Sequence, residues 1–427
     1  MAGGKGKRLH AVTRDEIPKP LAPVNGTPII EWQIKCLREN DITEICIVIG
    51  HLGEKIREKL GNGSALGVKL RYFQEETPLG TAGALAYLSN FINGEDFTLV
   101  YGDCVFDVDI KRMATFHKEK KAHATLFVHP NSHPYDSDIV LLDKDACIKG
   151  ILPKNEPRNF WYDNMVNAGL YILSGNTCND IPTGRPADLE KEYITGLIPE
   201  QKVYGYHSPE YIKDAGTPER IKEVTKALST GTVAARNLKN KQKCIFIDRD
   251  GTINHDTGLF CKIEELSLFP FAAEAFKHIN DSGFLAIVVT NQPVIARGLC
   301  TPEDVDEIHK KMKTLLGEKG AYADAVYYCP HHPDKGYPEE NPMYKIPCKC
   351  RKPGIGMIEQ AMNAFNIAPE LSWIIGDTTT DIQTGINAGL KTALVRTGEA
   401  GTDGKYNPVL DIESANLLTA VEQILGG

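Results

Sequence analysis

Three apolar runs in the second half of the chain share one form, because each ends in a polar residue that suits ligand binding. They are CIFID (Cys244–Asp248), AIVVTN (Ala286–Asn291) and WIIGD (Trp373–Asp377). Runs of this length and composition are typical of strands buried in a parallel sheet. Since ligands bind at the carboxyl ends of such strands, the pattern predicts one crevice where the three polar endings meet.

The first half alternates between apolar runs and polar, helix-like stretches. Its extended runs are Ile45–Gly50, Val68–Phe73, Phe97–Tyr101, His123–Val128 and Gly169–Leu173. This alternation predicts an α/β fold for the first half as well. A length of 427 residues is enough for two or three domains. We therefore expect two Rossmann-like α/β domains.

The stretch from Thr225 to Lys243 divides the two halves. It loses apolar periodicity and carries several lysines and an arginine, which is typical of a solvated connector, although a helix tail followed by a short loop fits nearly as well. Because a fresh strand starts at Cys244, we place the boundary near Lys239. The expected organisation is one domain over residues 1–225, a linker over 226–242 and a second domain over 243–427.

The charge balance narrows the classes of partner. The chain has 48 Lys and Arg against 56 Asp and Glu, a net charge of −8 that disfavours non-specific nucleic-acid binding. No apolar run approaches the ~20 residues of a membrane-spanning helix, and the amino terminus has neither an apolar signal region nor a cleavage site. We expect a cytoplasmic protein that binds small molecules rather than nucleic acid or membranes.

The chain opens with the glycine-rich sequence AGGKGKRL (Ala2–Leu9). Its glycines would let backbone N–H groups approach a phosphate, and its basic side chains add positive charge, although at a terminus the same residues could form a frayed tail. The following PKPL sets Lys19 between two prolines in a stiff loop. A rigid lysine near a phosphate stabilises the charge that develops during phosphoryl transfer, so the pair of motifs favours a phosphate site.

Six motifs in residues 1–225 occur in the order found in sugar-1-phosphate nucleotidyltransferases. They are AGGKGKRL, PKPL (Pro18–Leu21), ETPLGTAGAL (Glu76–Leu85), YGDCVFDVD (Tyr101–Asp109), NAGLYIL (Asn167–Leu173) and KDAGTPER (Lys213–Arg220). The resemblance implies a GT-A-like mixed sheet and attack by a sugar 1-phosphate on the α-phosphorus of a nucleoside triphosphate, with release of pyrophosphate. The form of the ETPLGTAGAL motif resembles that of guanylyltransferases acting on mannose-like sugars, which implies GTP rather than ATP or CTP.

This resemblance also implies roles for the residues at matching positions. Lys19 would stabilise the pentavalent transition state, and Asn167 would bond a sugar hydroxyl. Asp103 and Asp214 would hold Mg²⁺, a hard cation that prefers carboxylate oxygens, whereas an isolated aspartate is more often a turn or helix cap. The residues implied to contact the nucleotide are Gly3, Gly4, Gly6, Arg8, Gly80 and Thr81.

Two features depart from the nucleotidyltransferase pattern. The glycine loop of that family follows a central strand, whereas this sequence begins with the loop itself. A sheet without that strand would lose burial worth ~1.5–3 kcal/mol for each large side chain, so we expect a weakened or inactive transferase half that an upstream strand would restore. In place of the family's Glu-Lys-Pro stands PKNEPR, where Lys154 and Arg158 are both candidates to hold the sugar phosphate.

The sequence DRDGTIN (Asp248–Asn254) follows the first strand of the second half. Two aspartates at positions i and i+2 before a glycine turn can divide two roles, in which Asp248 attacks phosphorus and Asp250 transfers a proton. A lone pair of this kind is more often a surface turn or a calcium loop. The nearby motifs TNQ (Thr290–Gln292), CRKP (Cys350–Pro353) and GDTTTD (Gly376–Asp381) make that alternative improbable.

Together these motifs resemble the haloacid dehalogenase superfamily of aspartate-dependent phosphatases. The resemblance implies an aspartyl-phosphate intermediate on Asp248, with Asp250 as acid and base. Thr290 and Lys352 would neutralise the transferring phosphoryl group. Mg²⁺ would be held by Asp248, by the backbone carbonyl of Asp250 and by Asp377, in a shell that Asp381 orients.

A cysteine cluster in the same half indicates a second metal. The chain has 11 cysteines, an odd number that does not suit a disulfide framework. Cys329, His331, Cys348 and Cys350 supply three thiolates and an imidazole, a set that suits a closed, structural zinc site. His332 is an alternative to His331, and buried reduced cysteines remain the simpler interpretation. Zinc here would also fix the position of Lys352.

Four motifs of the second half narrow the resemblance. DRDGTIN, NQPVIARG (Asn291–Gly298), CPHHP (Cys329–Pro333) and CKCRKP (Cys348–Pro353) resemble heptose 1,7-bisphosphate phosphatases and their histidinol-phosphate phosphatase relatives. The implied substrate contacts are Asp256, Gly258, Asn291, Arg297 and Arg351. Arginine suits a second phosphate because its planar fork binds two oxygens. Thr378 stands where some of these phosphatases have lysine.

The two resemblances form consecutive steps. A phosphatase would remove the 7-phosphate of D-glycero-D-manno-heptose 1,7-bisphosphate, and a transferase would couple the resulting heptose 1-phosphate to a nucleotide, giving GDP-heptose. The alternative is a histidinol-phosphate-type phosphatase fused to a regulatory domain that binds a sugar nucleotide without turnover. The absent first strand and the irregular PKNEPR favour that second interpretation.

Overall fold

A computed structural model describes residues 1–2, 16–256, 258–334, 336 and 340–426. The chain divides into two compact units. The first contains Met1–His129, Val140–Leu152 and Asn167–Leu238, and the second contains Pro130–Ile139, Pro153–Val166 and Lys239–Gly427. Both are α/β, which confirms the predicted fold class.

The described part of the first half forms strands and helices in alternation. Its strands are β1 Pro23–Val24, β2 Thr27–Pro28, β3 Glu44–Ile49, β4 Lys69–Gln74, β5 Phe97–Val100, β6 Cys104–Asp107, β7 Ala124–His129, β8 Ile139–Leu142, β9 Ile148–Leu152, β10 Val166–Leu173, β11 Val203–His207 and β12 Tyr211–Asp214. Its helices are α1 Ile29–Glu39, α2 Gly53–Leu60, α3 Ser89–Ile92, α4 Ile110–Lys120, α5 Thr177–Asp180, α6 Thr195–Leu197, α7 Pro218–Ser229 and α8 Thr232–Ala235. A π-helical turn spans Leu189–Ile194.

The main sheet of the first half is mixed, as predicted. Its strand order is β11-β7-β10-β8-β9, and β5 also pairs with β10. Strand β11 is parallel to β7, whereas β5 and β8 are antiparallel to β10. Two further pairs, β6 with β12 and β3 with β4, form separate two-stranded sheets, and Asp214 lies at the end of β12. Alternation of buried residues along these strands supplies the core, in which Phe106, Phe127 and Leu170 pack together.

The first two residues bear on the predicted absence of a central strand. Met1 donates its terminal ammonium to Val100 O at 2.8 Å, and Ala2 N donates to Val48 O at 2.8 Å. Within the described residues, β3 pairs with β4 alone and β5 pairs with β10 alone. Residues 1–2 thus contact the ends of β3 and β5.

The second half forms a six-stranded parallel sheet. Its strands are β13 Cys244–Ile247, β14 Leu285–Asn291, β15 Ala325–Cys329, β16 Trp373–Gly376, β17 Lys391–Val395 and β18 Ile412–Ser414, in the order β15-β14-β13-β16-β17-β18. Its helices are α9 Ala272–Ser282, α10 Pro302–Glu318, α11 Gly356–Phe365, α12 Thr379–Ala388 and α13 Leu417–Gly426. Strand β13 lies between β14 and β16, so the three strand ends expected to converge are neighbours.

The segment predicted as a linker, residues 226–242, contains two short helical stretches. Helix α7 continues to Ser229, the short helix α8 follows, and Val233 and Leu238 are buried. The structure therefore has the helix tail rather than the solvated connector that the lysines suggested. Apolar residues spaced among the polar ones explain the difference, because they give this segment a face to bury.

The second unit also contains residues from the PKNEPR segment. Within this unit, Thr314 of helix α10 donates its hydroxyl to Tyr162 O at 3.1 Å, and Tyr162 N donates to the same hydroxyl at 3.2 Å. The ammonium of Lys313 lies 2.6 Å from the Asp163 carboxylate. Residues 153–166 are thus held against α10 by both backbone and side-chain contacts.

Candidate active sites

Four side chains of the second unit meet where its central strands end. Asp248 directly follows β13, Thr290 is the penultimate residue of β14, and Asp377 directly follows β16. The fourth is Lys352, whose ammonium lies 2.7 Å from the Asp248 carboxylate. Because the three strands are parallel neighbours, their carboxyl ends share one edge of the sheet, as predicted from the polar endings.

Three buried carboxylates lie together at this edge. Asp248, Asp377 and Asp381 each offer an oxygen within 4.8 Å of the others. Lys352 bridges two of them, because its ammonium also lies 2.5 Å from Asp381 Oδ1. If all three carboxylates were ionised, their charge would exceed that of the single Lys352 ammonium in a site shielded from water.

The ionisation of these groups reflects that excess. Burial, followed by the Asp381 charge, raises the pKa of Asp248 to about 7. Burial and the charges of Asp248 and Asp381 raise the pKa of Asp377 to about 8. Burial opposes the charge of Lys352, but the carboxylates of Asp248 and Asp381 more than offset it and raise its pKa. A cation bound among the carboxylates would relieve their repulsion.

The donor set fits a hard divalent cation. Carboxylate oxygens are the ligands that Mg²⁺ prefers, and the repulsion among the three groups is what such an ion would remove. Asp377 accepts from Glu399 N at 2.7 Å, and Asp381 forms a capping box with Thr378, the N-cap residue of helix α12. A side chain at Gly251 would lie 2.3 Å from Asp377 Oδ2, and Gly251 has a φ of +76°. The glycine of the DRDG turn is therefore required for the approach of these carboxylates.

Asp250 points into a separate network of donors. The buried guanidinium of Arg249 donates to it from Nε at 3.0 Å and from Nη2 at 2.8 and 2.9 Å. Asn254 Nδ2 donates at 3.0 Å and Gln292 Nε2 donates at 2.9 Å. The Asp250 carboxylate is thus oriented from several sides while its side chain stays 24% exposed.

Thr290 and Asn291 support this arrangement. The Thr290 hydroxyl accepts from Gln292 Nε2 at 2.9 Å, which links it to Asp250. The Asn291 side chain accepts from Lys352 N at 3.0 Å and donates to Lys352 O at 3.3 Å. Asn291 is predicted to contact substrate, and in this structure its amide holds the backbone of Lys352, the lysine predicted to bind phosphate.

The other predicted substrate contacts lie on loops around this edge. Asp256 and Gly258 are exposed, and Asp256 accepts from Gly258 N at 2.8 Å. Arg297 lies in the loop after β14, where its N–H donates to Pro293 O at 2.9 Å. Arg351 donates to His331 O at 3.2 Å. The structure therefore shows how these residues are anchored, and their contacts with substrate stay predictions.

The cysteine cluster has the geometry of a closed metal site. The Sγ atom of Cys350 lies 3.1 Å from that of Cys329 and 3.2 Å from that of Cys348, and 3.3 Å from His331 Nδ1. Four ligands placed ~2.3 Å from a central zinc would be separated by roughly 3.8 Å, whereas bonded sulfurs are ~2.05 Å apart. The separations in the cluster are too long for a disulfide bond and somewhat shorter than this zinc spacing, and all four ligand atoms lie within reach of one metal ion.

The structure distinguishes between the two histidines. His331 belongs to the cluster, whereas His332 Nδ1 accepts from Asp334 N at 3.2 Å. Hydrogen bonding from Cys329 lowers the pKa of Cys350 to about 5, which favours the thiolate that zinc binds. Arg351 N also donates to Cys348 Sγ at 3.3 Å, so the residue before Lys352 is tied to the cluster.

In the first unit, Asp103 and Asp214 lie side by side. Strands β6 and β12 are antiparallel with Cys104 opposite Asp214, and Ala215 N donates to Asp103 O at 2.7 Å. Asp103 is paired with the ammonium of Lys19. Asp214 accepts from Arg220 Nη1 at 2.6 Å on both oxygens. The predicted catalytic lysine and the two predicted metal ligands thus lie together, each carboxylate with its own cation.

Gly80 and Thr81 contact another segment of the first unit. Thr81 Oγ1 accepts from Leu189 N at 2.8 Å, and a side chain at Gly80 would lie 2.4 Å from Ala187 O. Asn167 donates to the Tyr171 hydroxyl at 2.7 Å, and that hydroxyl donates to Glu190 at 2.5 Å. Both groups of predicted residues therefore border the segment around Leu189.

The remaining predictions of the first half have different outcomes. Gly3, Gly4, Gly6 and Arg8 lie outside the described residues. Lys154 is paired with Asp136 at 3.2 Å, whereas Arg158 donates to the backbone oxygens of Pro134 at 2.7 Å and Ser137 at 2.5 Å. Neither contact selects one of the two as the sugar-phosphate ligand.

Sequence reasoning did not find the residues that orient the predicted ones. Arg249 lies in the DRDGTIN motif beside Asp250, and Gln292 lies in the TNQ motif near Thr290. Their positions in these motifs could have predicted that they orient the two site residues. Arg220 likewise ends the KDAGTPER motif. Glu190 lies in no quoted motif, and the sequence offered no signal for its contact with Tyr171.

Comparisons with known proteins agree with this division of the chain. The family model Nucleotidyl transferase matches residues 1–231, and the model HAD-hydrolase-like matches residues 349–414. A D-glycero-beta-D-manno-heptose-1,7-bisphosphate 7-phosphatase of Haemophilus ducreyi is 40% identical over 163 residues, which cover 38% of this chain and 87% of that protein. A mannose-1-phosphate guanylyltransferase of Mycobacterium tuberculosis is 29% identical over 221 residues, which cover 51% of this chain and 60% of that protein.

Among solved structures, one similar chain is the D,D-heptose 1.7-bisphosphate phosphatase from B. bronchiseptica complexed with magnesium and phosphate. It is 29% identical, covers 43% of this chain and 99% of its own length, and has a TM-score of 0.39. By the two family models and the Haemophilus ducreyi relative, the chain belongs to the nucleotidyl transferase family in its first half and to the HAD-like phosphatases in its second half. It combines a nucleotidyltransferase and a phosphatase in one polypeptide. None of the helices in the described ranges is both long and apolar enough to cross a membrane.

Proposed function

We propose that this enzyme carries out two consecutive steps of nucleotide-activated heptose synthesis. The second half removes the 7-phosphate of D-glycero-D-manno-heptose 1,7-bisphosphate, and the first half transfers a nucleotidyl group to the resulting heptose 1-phosphate. The observation that carries the phosphatase step is the contact of Asp248 with Lys352 beside Asp377 and Asp381. The likeness to heptose-bisphosphate phosphatases supports the choice of substrate.

In the phosphatase step, Asp248 attacks the phosphorus and forms an aspartyl phosphate while the bond to the sugar oxygen breaks. Asp250 donates a proton to that oxygen and then takes a proton from the water that hydrolyses the intermediate. Lys352 and the Thr290 hydroxyl neutralise the phosphoryl oxygens. Mg²⁺ held by Asp248, Asp377 and the backbone carbonyl of Asp250 would supply a Lewis acid that draws charge from those oxygens.

In the transferase step, Lys19 stabilises the charge that develops on the α-phosphorus oxygens. Asp103 and Asp214 would hold Mg²⁺ carried in with the triphosphate, since this ion keeps several waters and is bound by few carboxylates together with phosphates. Asn167 orients a sugar hydroxyl from the cluster that contains Tyr171 and Glu190. The likeness to a guanylyltransferase supports GTP as the nucleotide, giving GDP-heptose.

The zinc site has a structural role in this proposal. Cys329, His331, Cys348 and Cys350 would give zinc four protein ligands and leave no position for substrate. The cluster is two residues from Lys352 in sequence. Zinc would therefore hold the loop that delivers the phosphate-binding ammonium to Asp248.

The test is a single reaction with pure protein, Mg²⁺ and heptose 1,7-bisphosphate, with GTP, ATP and CTP in equal amounts. Mass analysis should find free phosphate and GDP-heptose. Phosphate with heptose 1-phosphate alone would contradict the transferase step and indicate a regulatory first half. If no phosphate is released, the heptose assignment is wrong, and histidinol phosphate is the next substrate to test.

A further inference from the structure

Arg249 lies beside the phosphatase site, but its guanidinium is buried. Its side chain is 1% exposed, and its Nε and Nη2 atoms donate to the two oxygens of Asp250. The guanidinium also lies over the ring of Phe260, with Cζ 5.0 Å from the ring centroid. Because it is buried and its donors bind a carboxylate, this cation serves Asp250 rather than the phosphoryl group.

The other terminal nitrogen of the guanidinium contacts a histidine of helix α10. His309 lies 60 residues further along the chain, and its Nε2 is 3.2 Å from Arg249 Nη1. Since arginine can only donate, Nε2 must be the acceptor, and the proton of a neutral imidazole then lies on Nδ1. Burial and the charge of Arg249 hold the pKa of His309 well below its usual value, which agrees with a neutral ring.

A neutral acceptor leaves the positive charge of Arg249 to Asp250. A buried N–H group without an acceptor costs free energy, so Nη1 requires a partner. A carboxylate in the place of His309 would satisfy Nη1, but it would also compete with Asp250 for the guanidinium. The imidazole accepts the hydrogen bond and adds no negative charge.

Helix α10 gives His309 a fixed position. The helix begins with a capping box at Thr301, and its residues Ile308 and Met312 are buried in the core of the second unit. The His309 ring is 4% exposed and lies 5.4 Å from the ring of Tyr328 on strand β15, measured between centroids. A side chain held by packing on a regular helix is suited to orient a neighbouring group.

We propose that His309 is a positioning residue for the phosphatase reaction, because it orients Arg249 and Arg249 orients the Asp250 carboxyl. The inference rests on the proposed role of Asp250 as acid and base. When the phosphorus–oxygen bond of the substrate breaks, its electron pair passes to the leaving oxygen, which takes a proton from Asp250. A misoriented carboxyl group transfers that proton less well, whereas the attack of Asp248 on phosphorus is retained.

Aryl phosphates with different leaving groups separate proton transfer from attack. Phenolate is a poor leaving group that needs a proton, whereas 2,4-dinitrophenolate leaves without one. The test compares kcat/KM of the full chain with Mg²⁺ for phenyl phosphate and for 2,4-dinitrophenyl phosphate. This constant reports the steps up to departure of the leaving group. The ratio of the two constants does not depend on the fraction of protein that is folded.

His309→Leu should lower kcat/KM about tenfold for phenyl phosphate and less than about twofold for 2,4-dinitrophenyl phosphate. Arg249→Lys keeps a positive charge but loses the paired donors, so it should show the same selective loss. His309→Gln keeps an acceptor for Nη1 and should therefore keep the wild-type ratio. His278→Leu is the matched control, since this histidine is 39% exposed on helix α9, and it should change neither constant.

Equal losses with both substrates in His309→Leu would indicate a structural role alone and would overturn the inference. A selective loss in His309→Gln as large as that in His309→Leu would also overturn it, because the hydrogen bond to Arg249 would then not be responsible.

Asp250→Asn tests the proposed function separately. It should show the largest selective loss, about 10²-fold or more with phenyl phosphate. A loss in Asp250→Asn that is equal for both substrates would contradict the acid role of Asp250, and the inference would fail with it. If His309→Leu shows the selective loss but the wild-type protein does not hydrolyse heptose 1,7-bisphosphate, the inference is supported and the proposed substrate alone is wrong.

Discussion

The two candidate sites balance their charges in different ways. In the second unit, three carboxylates whose side chains are at most 11% exposed have one ammonium beside them, that of Lys352, which contacts Asp248 and Asp381. In the first unit, each of two carboxylates has a cation of its own, Lys19 or Arg220, and these four side chains are between 15% and 36% exposed. The phosphatase site is therefore desolvated and short of positive charge, whereas the transferase site is hydrated and compensated before any ligand arrives.

This difference in burial and charge predicts how each site responds to a bound cation or phosphate. A buried excess of negative charge holds a cation and a phosphoryl group in fixed geometry, at a cost in stability when they are absent. Partly exposed ion pairs such as those of the first unit can be broken at little cost in free energy. We therefore expect the second unit to respond strongly to changes in its own charges, and the first unit to respond mainly in the presence of nucleotide.

The largest expected effect is the loss of the nucleophile. Asp248→Asn should lower phosphatase activity at least about 10³-fold, because no aspartyl phosphate can form, while nucleotidyl transfer is retained. Asp103→Asn is the matched variant and should lower transfer while leaving phosphate release intact. Separate assays with heptose bisphosphate and heptose 1-phosphate measure both. Phosphatase activity close to wild type in Asp248→Asn would contradict the assignment.

The next largest effect is a difference between Lys352 and Lys19 in their contribution to the free energy of unfolding. Lys352→Met removes the cation from a buried carboxylate cluster and should lower the free energy of unfolding of the second unit by about 3–5 kcal/mol in metal-free buffer. Lys19→Met breaks a partly exposed pair and should cost about 0–1 kcal/mol in the first unit. Denaturant titration followed by hydrogen exchange resolves the two units. Equal losses would remove the distinction between the sites.

The cysteine cluster should affect one half only. Cys348→Ser removes a zinc ligand and frees the loop before Lys352, so phosphatase activity should fall about 10- to 100-fold. Nucleotidyl transfer should remain, as it should with Cys46→Ser, the control. Bound zinc is measured by elemental analysis alongside both assays. A Cys348→Ser protein with full phosphatase activity would show that the cluster does not position Lys352.

A smaller effect is expected from pH in the absence of divalent metal. The pKa values of Asp248 and Asp377 in the folded unit, about 7 and about 8, lie above the ~3.9 of an unfolded aspartate. Between about pH 4 and pH 8 the folded state therefore binds more protons than the unfolded state. The free energy of unfolding should fall as pH rises through this range, by up to roughly 1.4 kcal/mol per pH unit for each proton. Thermal unfolding measures this slope, which Asp377→Asn should reduce. A slope of the opposite sign would contradict the charge excess.

The α/β fold and the convergence at the phosphatase edge were predictable from sequence. Strand ends of a parallel sheet must share an edge, so the positions of Asp248, Thr290 and Asp377 followed from the pattern of apolar runs. Lys352 was found through its motif rather than through a strand. Its position depends on the loop that the cysteine cluster shapes.

The contacts that the sequence did not predict join side chains that are far apart along the chain. The guanidinium of Arg249 binds the carboxylate of the adjacent residue, Asp250, and also lies against His309 of helix α10. Asn291 holds the backbone of Lys352, 61 residues away. The helical linker and the contact of Tyr162 with α10 also depend on tertiary packing, which local periodicity does not encode.

The most direct test of the difference between the two sites is hydrogen exchange of the full protein during a Mg²⁺ titration without nucleotide. Peptides that cover the ends of β13 and β16 should gain protection as the ion fills the carboxylate cluster, and peptides from β6 and β12 should stay unchanged. Adding GTP with Mg²⁺ should then protect the first unit. Equal protection of both sites by Mg²⁺ alone, or none at β13 and β16, would contradict the account.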